Sequence, residues 1–119
     1  MSGLVVARDA EKNKIKEVWG SLSWMSSQSL SGSSVTVGRL ILYPGLSESS
    51  HSHSNADEVI LLLKGSVNVR IGGREVDLLE GDALSIPLKL PHRIKNTGTR
   101  DAEMTLCYSS GTRKFTDES

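Results

Sequence analysis

The sequence predicts an all-β domain, an antiparallel sandwich or barrel, and three observations carry that prediction. Short β-rich segments alternate with turn signals at short, regular intervals from the middle of the chain onward. Two alternating segments, residues 67–71 and 74–78, surround Gly72-Gly73, which is a strong hairpin signal. The connections are too short for crossover helices, which disfavours a parallel α/β fold. Because no helical period separates the segments, the strands are expected to pair antiparallel.

Turn signals divide the second part of the chain into individual strands. Besides the Gly-Gly loop, they are Tyr43-Pro44-Gly45, Gly65, Glu80-Gly81-Asp82 and Asn96-Thr97-Gly98-Thr99. Glycine, proline and asparagine supply the backbone conformations that reverse a chain, so strands are expected between these signals. The predicted strands are Val35–Leu42, Glu58–Leu63, Val67–Ile71, Arg74–Leu78, Ala83–Ile86, His92–Asn96 and Glu103–Tyr108.

The first third of the chain gives a weaker pattern. The segment Glu11–Val18 is charged, with Ile15 and Val18 spaced for one helical turn, so a short helix and a plain loop fit equally well. Residues 21–34 are rich in serine, yet Leu22 and Trp24 lie among them, and an indole is costly to leave in water. We therefore expect residues 1–34 to form an arm or strand that packs on the barrel or on a partner subunit. The barrel itself is expected at residues 35–110, followed by a C-terminal tail at 111–119.

Composition narrows the function classes. A chain of 119 residues is enough for one domain. Its 14 Lys and Arg balance 14 Asp and Glu, and zero net charge argues against a general nucleic-acid binder. The longest apolar run, Val59–Leu63, is far shorter than the ~20 residues that cross a bilayer, so no membrane partner is expected. The single cysteine and the lack of a signal-peptide profile before Gly20 predict a soluble protein of the cytoplasm.

Three histidines and a glutamate form the pattern that carries chemistry. His51 and His53 are one residue apart, so on a strand they point to the same face, about 7 Å apart at Cα. Glu58 begins an apolar run and can turn inward while Asp57 faces out, and His92 lies on a separate predicted strand. Three imidazoles and one carboxylate suit Fe, Mn, Co, Ni, Cu or Zn. The pattern therefore predicts one divalent transition-metal ion.

These residues stand in two motifs that resemble those of the cupins. The first motif reads Gly45-x5-His51-x-His53-x4-Glu58-x6-Gly65, and the second reads Gly81-x5-Pro87-x4-His92-x3-Asn96. The resemblance extends over about residues 35–108 and has one departure, since cupins usually have glycine where this chain has Lys89. It implies a small jelly-roll β-barrel with one metal ion per subunit, held by His51, His53, Glu58 and His92.

Other residues near the motifs give weaker signals. Arg39 and Tyr43, on the strand that enters the site, and Tyr108, on the last strand, are candidates for lining the cavity and contacting an anionic ligand. Their facing depends on the strand register, which a shift of one residue reverses. Glu48, just before the first ligand, could support the metal ligands from behind, but a solvated loop carboxylate is the favoured interpretation. Asn96 is interpreted as the cap of a turn rather than a substrate contact.

The predicted metal centre supports two classes of function. The first is a small metalloenzyme acting on a compact oxygenated metabolite, with a dioxygenase-like oxidoreductase favoured over an isomerase, decarboxylase or lyase. The alternative is a non-catalytic module that senses or sequesters a metabolite or metal. Single-domain cupins commonly pair, so we also expect a homodimer, with the segment around Leu22 and Trp24 at the subunit contact.

Overall fold

The computed structural model describes residues 4–8 and 13–119 of the chain. Within those ranges it consists of short β-strands and one short helix, α1 (Gln28–Ser31). No helix in these ranges is long and apolar enough to cross a membrane. The strands are β1 (Lys14–Glu17), β2 (Gly20–Ser26), β3 (Thr36–Leu42), β4 (His51–Ser52), β5 (Glu58–Lys64), β6 (Val67–Ile71), β7 (Arg74–Leu78), β8 (Ala83–Ile86), β9 (His92–Asn96), β10 (Ala102–Tyr108) and β11 (Thr116–Asp117).

Two antiparallel sheets share one apolar core, in the manner of a jelly roll. One sheet has the order β1-β2-β3-β10-β5-β8, and the other has the order β11-β4-β9-β6-β7. Alternate side chains of each strand point between the sheets, as the period of a pleated strand requires. The fully buried core positions come from both sheets and include Leu40, Leu42, Ile60, Leu62, Val69, Ile94 and Met104. Each such side chain stabilises the fold by roughly 1.5–3 kcal/mol.

The predicted fold class and all seven predicted strands are confirmed. The Gly-Gly loop joins β6 to β7, whose register begins with Ile71 opposite Arg74. The bounds of the other predicted strands agree with the observed ones to within one residue. The non-local pairings of β3 with β10, and of β10 with β5, then bring the ends of distant segments together.

The N-terminal part of the chain differs from its prediction. Residues 14–17 form strand β1 rather than a helix or a plain loop, while residues 11 and 12 lie outside the described part. Pairing with the rest of the sheet overrides the local helical spacing, because β2 pairs with both β1 and β3 and extends the sheet. Gly20 permits this pairing, since a Cβ atom there would lie 1.8 Å from the Ile41 carbonyl oxygen. Leu22 and Trp24 pack against the core of their own chain, so dimerisation stays a prediction.

The C-terminal segment, residues 111–119, lies along the five-stranded sheet. Its strand β11 pairs with β4, so that Asp117 stands opposite His51. The Glu118 amide also donates to the Ser50 carbonyl, and the Ser52 hydroxyl donates to the Glu118 carboxylate. A segment expected as a tail therefore borders strand β4, which carries His51 and directly precedes His53.

Candidate metal centre

Three strands bring the predicted ligands to one place between the sheets. His51 and His53 point inward from β4 and the residue after it, and His51 is paired across the sheet with His92 at the start of β9. Glu58 is the first residue of β5 on the opposite sheet, and Asp57 faces out as predicted. All four ligand side chains are at least 95% buried, and one nitrogen or oxygen atom of each lies within 4.8 Å of all the others.

Each imidazole is held by its outer ring nitrogen. His51 Nδ1 contacts the Ser49 carbonyl at 2.9 Å, His53 Nδ1 the Lys114 carbonyl at 2.9 Å, and His92 Nδ1 the Leu90 carbonyl at 3.0 Å. A carbonyl oxygen only accepts, so each Nδ1 carries the proton and donates it. The Nε2 atoms are then left with lone pairs that face the centre of the cluster, which is the tautomer that a metal ligand needs.

The atoms that face the centre lack hydrogen-bond partners. His53 Nε2, His92 Nε2 and Glu58 Oε1 are buried without one, although Glu58 Oε1 lies 2.8 Å from His92 Nε2 and 3.5 Å from His53 Nε2. Buried polar atoms are costly to leave unsatisfied. Lone-pair donors that converge without hydrogen-bond geometry match the ligand set of one shared cation, so these residues fit a metal ion.

The electrostatics of the metal-free cluster favour the ligand forms of Glu58 and His51, whereas the Glu58 carboxylate outweighs burial and raises the pKa of His92. Burial by itself would raise the pKa of Glu58, but His53 and His92, through the hydrogen bonds and positive charge that they offer when their Nε2 atoms are protonated, outweigh it and lower that pKa to about 2. Burial lowers the pKa of His51 to about 4. At neutral pH the glutamate is therefore ionised and His51 is neutral, which are the states that bind a metal.

Tyr108, one of the three candidates for lining the cavity, lies beside Glu58. It is the last residue of β10, opposite Glu58 in the register, and its hydroxyl donates to Glu58 Oε2 at 3.1 Å. Its ring also lies 4.9 Å from that of His53, in an edge-on arrangement. Burial raises the pKa of Tyr108 well above its usual value, so the phenol keeps its proton and remains a donor to the carboxylate.

Arg39 and Tyr43 are not brought to the cluster, in contrast to the expectation for them. The inward residues of β3 are Thr36, Gly38, Leu40 and Leu42, so Arg39 lies on the outer face, where it pairs with Glu103. Tyr43 follows the end of β3 that is remote from the site, because Thr36, at the other end of that strand, is the residue paired with Tyr108. The register of one strand thus decides both positions.

Glu48 lies inside the site, and its interpretation as a solvated carboxylate was wrong. Its side chain is 14% exposed, and its Oε1 lies 4.0 Å from His51 Nε2. Burial, together with the charge of Glu58, raises the pKa of Glu48 to about 8. Glu48 therefore holds a proton at neutral pH beside the cluster. Nothing in its local sequence distinguishes it from an exposed loop residue, because its burial comes from other segments folding over it.

The C-terminal segment supplies residues that the sequence analysis did not single out. Phe115 stacks on His51 with ring centroids 4.9 Å apart and planes inclined by 21°. The Arg113 guanidinium lies 4.3 Å from the centre of the Trp24 ring and 5.1 Å from that of Tyr108. A cavity of about 90 Å³ opens beside the cluster. It is lined by Trp19, Leu22, Glu48, Ser49, His51, Leu106, Tyr108, Arg113 and Phe115.

Two residues of the second motif shape the backbone around the site. Lys89 has a φ of 71°, a left-handed conformation that costs a lysine about 1 kcal/mol, and its amide donates to the His53 carbonyl at 2.7 Å. Asn96 is fully buried and caps its turn, as predicted. Its side-chain amide donates to the Leu42 and Arg100 carbonyls and its oxygen accepts from the Gly98 amide. Neither residue contacts the cluster with its side chain.

Sequence comparisons find relatives across this region of the chain. Residues 38–108 match the model of a family described as the cupin domain. The tetracenomycin polyketide synthase protein TcmJ of Streptomyces glaucescens is 34% identical over 85 residues, covering 71% of this chain and 57% of that protein. The polyketide synthase CurC of Streptomyces cyaneus is 30% identical over 73 residues, covering 61% of this chain and 47% of that protein. The chain thus spans about half the length of these relatives.

Solved structures with the same fold include oxalate decarboxylases. The enzyme of Lactobacillus farciminis, in complex with formate, superposes with a TM-score of 0.82 at 15% identity and covers 88% of this chain and 33% of its own. The enzyme of Bacillus subtilis, studied for its Mn(II) centres, gives a TM-score of 0.84 at 15% identity and covers 91% of this chain and 30% of its own. At these identities the likeness shows the fold alone.

Proposed function

This chain belongs to the cupin family, and we propose that it is a metal-dependent enzyme that acts on a small oxygenated metabolite. One observation carries the proposal. His53 Nε2, His92 Nε2 and Glu58 Oε1 are buried, face one another and lack hydrogen-bond partners. A purely structural cluster would satisfy such atoms, whereas a metal site leaves them available for the ion.

The proposed ligands are His51, His53, Glu58 and His92, and the proposed cofactor is one divalent transition-metal ion, Fe, Mn, Co, Ni, Cu or Zn. The Mn(II) centres named for the B. subtilis oxalate decarboxylase make manganese one of the metals to test first. When bound, such an ion supplies Lewis-acid polarisation of substrate oxygens and, if it is iron, redox chemistry with dioxygen.

The chain's own residues define the rest of the site. The carbonyl contacts of the three Nδ1 atoms fix the direction of each imidazole, and Tyr108 holds Glu58 from the other side. The cavity is small, with a volume of about 90 Å³, which supports a compact molecule as its occupant. A short keto acid or enediol is the size of substrate that we propose.

We favour a dioxygenase-like reaction over isomerisation, decarboxylation or lyase chemistry, and oxygen consumption separates them. Metal-loaded protein is incubated with short keto acids in an oxygen electrode and, in parallel, without oxygen. Turnover that requires oxygen would support the dioxygenase, and turnover without oxygen would support the other reactions. If a keto acid binds but is recovered unchanged under both conditions, the result would favour a non-catalytic binding module over an enzyme. His92→Ala is the control, because it removes one proposed ligand.

A larger substrate is the second candidate, and an adjoining groove favours it. This groove has a volume of about 430 Å³ and shares Arg113 and Phe115 with the smaller cavity. The two Streptomyces relatives are named for polyketide synthesis, and a polyketide-derived ketone could place its oxygens in the cavity and its carbon skeleton in the groove. Comparing short keto acids with aromatic polyketides as ligands of the metal-loaded protein distinguishes the two sizes.

A further inference from the structure

Arg113 is held in place by contacts on both sides of it. The Asn55 side chain donates to the Thr112 carbonyl and accepts from the Lys114 amide, each at 2.8 Å. The Lys114 carbonyl in turn accepts from His53 Nδ1 at 2.9 Å. A single buried imidazole therefore links the backbone beside Arg113 to the candidate metal centre. This attachment gives Arg113 a fixed position although it lies beyond the last long strand.

The guanidinium of Arg113 is surrounded by aromatic rings rather than by carboxylates. It lies 4.3 Å from the centre of the Trp24 ring, 5.1 Å from that of Tyr108 and 6.0 Å from that of Phe115. Among the described residues, no Asp or Glu forms an ion pair with it, whereas other arginines do have such partners. Those pairs are Arg39 with Glu103, Arg70 with Glu75 and Arg100 with Glu80.

Such an environment orients the guanidinium without neutralising it. A stacked guanidinium is attracted by the face of the ring and keeps its N–H groups at its edge for another ligand. Trp24 can lie there because residue 38 is glycine, where a Cβ atom would be 2.8 Å from the indole. The arrangement is therefore built from several segments, and its charge faces the cavity that it lines with His51 and Tyr108.

We propose that Arg113 is the anion-binding residue of this cavity and that the substrate carries a carboxylate or an equivalent planar anionic group. The inference deepens the proposed function and rests on it, since it places the substrate between Arg113 and the four metal ligands. Arg113 can meet a carboxylate with two parallel hydrogen bonds, a geometry that a lysine ammonium does not offer. The cation that the sequence analysis sought at Arg39 is thus supplied by the C-terminal segment.

The charges that line the cavity agree with an anionic ligand. A divalent ion held by Glu58 as its one carboxylate ligand would leave one positive charge, and Arg113 would add a second. Glu48 is the acidic residue that lines the cavity, where it lies 4.0 Å from His51 Nε2 and also interacts electrostatically with Arg113. Even an ionised Glu48 leaves the cavity with one net positive charge, so a monoanion would neutralise it. A neutral substrate of the same size would leave the guanidinium unpaired.

The test compares Arg113 with a matched arginine outside the site. Manganese-loaded wild-type protein, Arg113→Gln and Arg39→Gln are titrated calorimetrically with pyruvate and with pyruvamide, its neutral counterpart. Metal content and thermal unfolding are measured on each sample. We expect Arg113→Gln to bind pyruvate at least about tenfold more weakly than wild type, the usual cost of losing a charged hydrogen-bond pair. Arg39→Gln should bind within about twofold of wild type, because its side chain points to the outer face.

Several results would overturn the inference. Arg113→Gln could bind pyruvate as tightly as the wild type, or Arg39→Gln could lose as much affinity for pyruvate as Arg113→Gln. The metal-loaded wild type could bind pyruvamide as tightly as pyruvate, or could fail to bind pyruvate. If the glutamine variant does not fold, Arg113→Lys replaces it and should bind pyruvate more weakly than wild type, with unchanged affinity counting against the inference. Wild-type protein that takes up no metal would contradict the proposed function instead, so the two failures are distinguishable.

Discussion

The ligand-bearing strands and the two terminal segments contribute to the same site in different ways. The strands β4, β5 and β9 carry His51, Glu58 and His92 inward from paired, nearly fully buried backbone. The terminal segments bring Trp24 on β2, and Arg113 and Phe115 beyond β10, to the mouth of the cavity. The ligand-bearing strands can hold an ion, and under the proposed function the terminal segments determine which molecule can approach it.

Under the proposed function, this difference assigns metal binding and substrate selection to separate parts of the chain. The ligand strands are fixed by the core, whereas the C-terminal segment is held by few contacts, among them the hydrogen bonds of Asn55, His53 and Ser52. Changes in the terminal segments can therefore alter the cavity while the ligand cluster is kept. His53 is the exception, because it belongs to the cluster and also bonds to the C-terminal segment.

Replacing His53 should weaken both metal binding and the attachment of the C-terminal segment. His53→Ala removes a proposed ligand and the bond to the Lys114 carbonyl. We expect metal affinity to fall by more than the roughly 10–100-fold typical of outer hydrogen-bond partners, and amide protection of residues 116–118 against hydrogen exchange to fall with it. His92→Ala should lose the metal to the same degree but keep that protection. Equal protection in the two variants would separate His53 from the C-terminal segment and contradict the account.

Glu48 should make the metal-free protein less stable as the pH rises. Because its pKa is raised to about 8, the native state keeps a proton that the unfolded chain has lost, so stability decreases between about pH 4.5 and 8. Relative to Glu48→Gln, the wild type should lose on the order of 3 kcal/mol between pH 5 and 8 in urea unfolding. Exposed Glu75→Gln serves as the control and should follow the wild type. A constant difference between wild type and Glu48→Gln would mean that this carboxyl is ionised at neutral pH.

Tyr108 should increase the metal affinity of the cluster without being required for metal binding. Tyr108→Phe removes the hydroxyl that donates to Glu58 Oε2 and keeps the ring. We expect metal affinity to decrease by roughly tenfold, at the lower end of the effect of such outer partners. Tyr43→Phe, at the remote end of β3, should leave the affinity unchanged. Competition with a chelator measures both variants, and an unchanged affinity in Tyr108→Phe would show that this hydrogen bond is not used.

Phe115 should give the smallest effect. Its ring stacks on His51 but is 54% exposed, so Phe115→Ala is expected to cost about 1 kcal/mol of stability and to leave the metal content unchanged. Thermal unfolding and elemental analysis of the variant measure these two quantities. Leu79→Ala, at an exposed position outside the site, is the control for the effect of removing an exposed apolar side chain. Loss of the metal in Phe115→Ala would mean that the C-terminal segment helps to hold the ion.

The parts of the molecule that follow short-range rules were predictable from sequence. Turn residues and alternation locate seven strands, and the spacing of His51, His53 and Glu58 follows from strand geometry and the two motifs. Asn96 caps its turn through the Arg100 carbonyl and the Gly98 amide, two local contacts that its residue type already suggests. Because these features depend mainly on residues close together in the chain, they can be predicted from local sequence patterns.

The remaining features depend on which distant segments meet. Strand β11 has two residues and exists only because β4 lies beside it, and Glu48 is buried by segments far from it in the chain. Arg39 faces outward because the register of β3 places its even-numbered residues inside. Arg113 is held at the cavity by contacts that involve Asn55 and Trp24. Neither residue forms a recognisable sequence motif with Arg113. Local patterns carry no information on such contacts.

Elemental analysis of protein purified without a metal-affinity column tests the central claim most directly. The account predicts about one transition-metal ion per chain in the wild type, either as purified or after incubation with Fe(II), Mn(II), Co(II), Ni(II), Cu(II) or Zn(II). It predicts none in His92→Ala measured alongside. A wild type that retains no ion after every incubation, or a His92→Ala variant that retains as much as the wild type, would contradict a metal centre formed by these four residues.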